Sequence, residues 1–272
     1  MSKNKYEIDM CNGTIMDKLI SFSVPLMLSG ILQLMFNAVD IIVVGRFAGS
    51  QSLAAVGSTT ALINMFVNLF IGVSLGANVL AARFYASGKH KEMSETVHTA
   101  ITFAAISGVV MALIGLLMAK PALELMGTPD DVINLSTLYM RIYFLGMPFF
   151  MLYNYGAAVL RAVGDTKRPL MFLIAAGIIN ACLNMVLVIV FNLGVAIATI
   201  FSQFISCVLV LRCLNKTDAS YQLRFSKLRI KGYYLKQIFQ VGIPAGIQST
   251  VINFSNALLQ SSVNSFGSTA MA

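Results

Sequence analysis

Apolar residues run through this chain in long blocks, not in the alternation of a strand or the one-sided stripe of a surface helix. Segments 19–39, 47–82, 96–119, 142–160, 169–211 and 237–272 contain no Lys, Arg, Asp or Glu. A helix needs about 20 predominantly apolar residues to cross a bilayer, so each block predicts a transmembrane helix. The block 169–211 is too long for one crossing, and Phe191-Asn192-Leu193-Gly194 puts turn-forming residues near its middle. Dividing it there predicts seven helices and an all-α polytopic membrane protein.

One charge interrupts the first helix. Between Lys18 and Arg46 the only ionisable side chain is Asp40, which puts a carboxylate within or near the hydrocarbon. Asn37, Gln33 and Ser29 precede it at helical spacing and share its face, while Leu28, Leu34 and Ile41 cover the rest. An acid in such a helix usually faces a cavity or a partner and marks an ion or substrate path. The blander reading is a buried Asp that serves packing alone.

Composition fits this reading. The chain is 57% apolar and 11% charged, about half the charged fraction of a soluble domain. With the N-terminus in the cytoplasm, all of the 19 Lys and Arg except Arg46, Lys120 and Arg141 fall on the inner side, as the positive-inside rule requires. The net charge of +8 is then topological. Because the basic residues are dispersed over loops, no nucleic-acid partner is expected. Cys11, Cys182, Cys207 and Cys213 form no CxxC pair. Glu7, Asp9 and the long apolar run after Lys18 argue against a cleaved signal peptide. No nucleophile with a base, metal cluster or phosphate loop points to an enzyme. Arg141 is expected to snorkel to the outer interface and His98 to sit at the inner one, with Gly72, Ser74 and Gly76 as close-packing positions.

A repeat adds to the picture. Phe22-Ser23-Val24-Pro25 and Phe47-Ala48-Gly49-Ser50 return as Val241-Gly242-Ile243-Pro244 and Phe266-Gly267-Ser268. The copies stand six helices apart, on the first and the seventh, and this even offset gives both the same orientation, as in transporters whose site lies between two halves. The expectation is one half, plus one helix, of a protein with about twelve. Residues 1–14 read as a cytoplasmic N-terminus and 15–213 as a six-helix transmembrane lobe. A cytoplasmic basic linker follows at 214–235, and 236–272 reads as the first helix of a truncated second lobe.

The Pro25 helix with Asp40-Ile-Ile-Val-Val-Gly45-Arg46-Phe47, the following Leu53-Ala54-Ala55-Val56-Gly57, and Leu160-Arg161-Ala162-Val163-Gly164-Asp165-Thr166-Lys167-Arg168-Pro169 together resemble the multidrug and toxic compound extrusion (MATE) family, in its bacterial branch similar to DinF and NorM. The resemblance implies a six-helix lobe paired with a second lobe around a central cleft. It also implies plasma-membrane export of organic, often cationic, compounds driven by H⁺ or Na⁺, with no other cofactor. Asp40 matches the family's coupling-ion acid, and Asn180 and Thr199 match polar residues that complete the site. Asn184 stands where some members have a second acid, which favours H⁺ over Na⁺. The stretch 194–199 is shorter than is usual in the family. Gln33, Asn37, Asn253 and Asn256 are expected to line the cleft, with Na⁺ at Asp40 the only metal to consider. Partners would be the substrate, membrane lipid, and a second lobe or another chain. A lipid-linked oligosaccharide flippase of the same superfamily is an alternative, as is a heptahelical receptor, although the distribution of Lys and Arg opposes the latter.

Overall fold

In a computed structural model that describes residues 6, 8, 14–47, 49–189 and 195–264, the chain is built from helices. They are α1 (Ile15–Phe47), α2 (Gly49–Ala86), α3 (His90–Leu125), α4 (Ile133–Leu145), α5 (Met147–Ala162), α6 (Lys167–Ile189), α7 (Val195–Lys216) and α8 (Gly232–Asn264). Five of them are long and apolar enough to cross a membrane by length and composition, or six spans if α4 and α5 count as one. Although α8 has 33 residues, its amides and hydroxyls at Gln248, Ser249, Thr250, Asn253, Ser255, Asn256 and Gln260 keep it less apolar than the others.

The fourth predicted helix is two helices, bent by 46° at Gly146. Pro148, at the start of α5, has no N–H and its ring crowds the preceding turn, so the ladder breaks there. The Phe149 and Phe150 N–H groups turn to the Gly146 carbonyl, each at 3.1 Å. The turn expected at 191–194 lies outside the described residues, with α6 ending before it and α7 beginning after it.

α2, α3, α5 and α7 enclose the main core, in which Met93, Met111, Met140, Met147, Met151, Phe144 and Tyr155 are almost completely buried. These methionines fill the lobe interior. At one end the lobe is tied by the 161–169 loop. Gly164 adopts φ +84°, a left-handed conformation that a glycine enters without strain. This closes α5 through Asp165 N–H to Leu160 O at 3.0 Å. The fully buried Asp165 then caps α6, accepting the Arg168 N–H at 3.1 Å, and pairs with the Arg168 guanidinium. Arg168 reaches on to Cys213 Sγ on α7 at 3.1 Å and lies over the Tyr6 ring. The loop therefore joins four segments of the chain.

α8 lies along α2. The crossing places Gly72-x-x-x-Gly76 against Gly242-x-x-x-Gly246. A Cβ at Gly72 would stand 2.1 Å from Gly246 Cα, and one at Gly76 would stand 2.2 Å from Ile238 O. Only glycine permits this approach of two backbones. At the other end of α8, Ser261 Oγ and Asn264 Nδ2 donate to the Met126 carbonyl at 3.2 and 3.1 Å. The segment before α8 is docked as well. Glu95 holds Arg229 and Lys231 at 2.7 and 2.8 Å. Buried His98 donates through Nδ1 to Ser94 O at 2.6 Å and accepts the Arg224 N–H through Nε2 at 3.1 Å. His98 thus acts as a built-in clamp on the segment before α8. Arg141 Nε donates to Leu116 O on α3 at 3.2 Å, which ties α4 to α3.

Candidate ion site at the α1–α6 seam

α1 is the least covered helix of the lobe, with Leu28, Leu34, Ile41 and Ile42 exposed. It is seated on α6 and α2, where Phe36 fills the space above Gly177 and Val43 and Val44 pack with Val56. That seating points the Asp40 carboxylate at α6.

A chain of amides receives it. The Asn184 Nδ2 group donates to Asp40 Oδ1 and, at 3.1 Å, to Asn180 Oδ1 one turn earlier on α6. Asn180 Nδ2 lies 3.5 Å from Ser202 Oγ on α7, and Ser202 Oγ donates to Thr199 O at 2.8 Å. Asn184 is fully buried, and Asn180 and Ser202 nearly so. With Asp40 ionised the network fixes the amide orientation: turning Asn184 over would set its oxygen against two others, which would need a bound cation or a proton on Asp40 to hold together. As it stands, Asn184 Oδ1 is buried with no hydrogen-bond partner. Tyr139 and Tyr143 on α4 lie within electrostatic reach of Asp40.

Of the expected ion-site residues, Asp40, Asn180 and Asn184 are brought together, and Thr199 enters through its backbone carbonyl. Ser202 and the two tyrosines were not anticipated. Ser202 stands one helical turn beyond Thr199, a spacing that puts both on one face and could have signalled it. The expected cleft residues are not assembled. Gln33 and Asn37 are exposed on α1, Asn256 is exposed on α8, and Asn253 donates to Ser249 O of its own helix at 2.8 Å. α1 and α8 do not pack on each other; both lean on α2.

Similar proteins share both sequence and fold. The MatE family profile matches residues 25–186. The probable multidrug resistance proteins YoeA and YpnP of Bacillus subtilis are 34% and 29% identical over 92% and 95% of this chain. The chain spans about half the length of these curated relatives, 56% and 58%. A MATE transporter solved in the bent conformation superposes with a TM-score of 0.83 at 22% identity, over 90% of this chain and 55% of that one. An inward-facing multidrug resistance MATE family transporter gives 0.81 at 21% identity, over 93% and 58%. The profile covers more than half of the sequence, and the all-α membrane architecture agrees with it: this chain belongs to the MATE family of multidrug efflux transporters, which are not enzymes.

Proposed function

We propose that this chain supplies the first lobe of a proton-coupled antiporter at the plasma membrane, with its N-terminus cytoplasmic. It would export small organic, preferentially cationic, compounds by alternating access. The observation that carries this reading is the Asp40 carboxylate, held by the buried Asn184 amide on the face where α1 meets α6.

The donor set argues for a proton. Na⁺ gathers several oxygens, whereas the group nearest the carboxylate is an amide nitrogen that already serves two acceptors. A proton needs the carboxylate alone. Taking it up removes the negative charge that strengthens the bond from Asn184 and adds a donor to a carboxyl that keeps its other oxygen as an acceptor, which loosens one of the ties that hold α1 to α6. An organic cation drawn to the same carboxylate is then displaced, because ion and substrate need only differ in affinity for the two states to exchange. The names of the curated relatives support organic compounds as cargo.

One observation favours Na⁺ instead: the unpartnered Asn184 Oδ1 would face Asp40 if the amide turned over. The native gene product reconstituted in proteoliposomes separates the readings. A pH gradient in Na⁺-free medium should drive accumulation of a fluorescent organic cation. Drive from a Na⁺ gradient alone would transfer the role to Na⁺, and no drive from either would overturn ion coupling.

A further inference from the structure

Arg141 is the charged group that neither the ion site nor the docked linker uses, and it lies where a charge is costly. At 1.5 Å per residue the 13 residues of α4 and 16 of α5 make a span of about 44 Å, some 14 Å more than the hydrocarbon core. Centred in the membrane, about 7 Å at each end lies outside it. Arg141 is eight residues into α4 from Ile133, about 12 Å along the helix and so about 5 Å inside the hydrocarbon. Leu116, whose carbonyl takes its Nε, is nine residues from the same end of α3 at Leu125, about 14 Å along. Centred in the same way, the 36 residues of α3 run about 54 Å, about 12 Å beyond the core at each end, so Leu116 lies about 2 Å inside it and the guanidinium sits just beneath the interface.

Its surroundings are apolar and open. Arg141 is itself exposed, on a face of α4 with Leu138 and Leu145, beside a face of α3 that carries Leu113 and Leu117, the last 75% exposed. Tyr139 and Tyr143, which sense Asp40, project from other sides of α4. Lys120 lies one turn nearer the loop on the Leu113–Leu117 face of α3, also exposed, with Glu124 at 3.9 Å. Among the described residues, the two terminal nitrogens of Arg141 have no hydrogen-bond partner. A guanidinium on a lipid face needs an anion, and its planar fork matches the oxygens of a phosphate.

The geometry points to a phospholipid site on the outer surface of α3 and α4: the phosphate of an anionic phospholipid bridges Arg141 and Lys120, and its acyl chains run deeper along Leu113 and Leu145. Glu124 offsets one of the two cations, leaving a single net positive charge for a single phosphate. Headgroups that carry their own cation compete with Arg141 for that phosphate and are disfavoured. With the N-terminus cytoplasmic, the lipid belongs to the outer leaflet.

The test is thermal unfolding of the purified protein in detergent, titrated with phosphatidylglycerol or phosphatidylcholine. Phosphatidylglycerol should raise the midpoint more than phosphatidylcholine, and Arg141→Gln should weaken its apparent affinity about tenfold. If Arg141 only staples α4 to α3, Arg141→Gln will lower the midpoint without lipid yet leave the response to phosphatidylglycerol unchanged, and the proposal fails. Equal responses to both lipids also overturn it. Should the variant not fold, a photoactivatable phosphatidylglycerol on the wild-type protein decides: cross-links in peptides spanning 113–125 and 133–145 are expected, and cross-links confined to other helices refute the site.

Discussion

Gly72→Ala isolates the crossing of α2 and α8. The added methyl would stand 2.1 Å from Gly246 Cα, 2.3 Å from Gly246 N and 3.0 Å from the Ala245 carbonyl carbon. All three are backbone atoms, so no side-chain rotation relieves the overlap, and the helices must separate by about 1 Å or more. A gap of that size forfeits a quarter to a half of each dispersion contact along the seam, and overpacking of this kind costs about 1–3 kcal/mol. Gly30 on α1 provides the control, because a Cβ there meets nothing within 4 Å. At Gly30 the better helix propensity of alanine acts alone and contributes up to about 1 kcal/mol of stabilisation. Unfolding in detergent should therefore show a midpoint lowered by about 2–8 °C for Gly72→Ala and unchanged or slightly raised for Gly30→Ala. Equal behaviour of the two variants would refute the reasoning that backbone contact at this crossing holds α8 to the first lobe.

Three further outcomes follow from the same geometry. Asn184→Asp sets a second carboxylate against Asp40 and removes the donor that joins it to Asn180; the variant's midpoint should rise with Na⁺ concentration while that of the wild type does not, read by unfolding in NaCl against choline chloride. Glu95→Gln releases Arg229 and Lys231, and because both cations are partly exposed the loss of about 0.5–1 kcal/mol should speed tryptic cleavage within 224–231 about two- to fivefold; an unchanged rate would show that the linker is held by other means. Asp165→Asn strips the partner from the half-buried Arg168 and weakens the α6 cap, which should cost about 3 kcal/mol and appear as a lower yield of monodisperse protein.

Helix positions were legible because a bilayer demands length and apolarity, and both are written in the spacing of charges. The Asp40 site was half legible. A lone acid in an apolar helix is conspicuous, Asn180 and Asn184 stand a turn apart in α6, and Ser202 shares a face with Thr199, but that α4 brings two tyrosines within electrostatic reach of Asp40 depends on tertiary packing that no local pattern encodes. The break at Gly146 escaped because the block around it is uniformly apolar, so its composition reads as one helix across Pro148. For Arg141, sequence reveals a charge near a helix end without revealing the Leu116 carbonyl that takes its Nε. The Gly242-x-x-x-Gly246 motif gained its meaning only from the matching glycines of α2.

The central claim is that a proton and an organic cation exchange at Asp40, and the most direct measurement counts that proton. Adding a lipophilic organic cation such as tetraphenylphosphonium to the purified native gene product, in weakly buffered Na⁺-free detergent solution near the pH at which Asp40 is protonated, should release close to one proton per cation bound. Asp40→Asn, still folded by its unfolding midpoint, should release none. Binding without proton release in the wild type, or undiminished release in Asp40→Asn, would contradict the account.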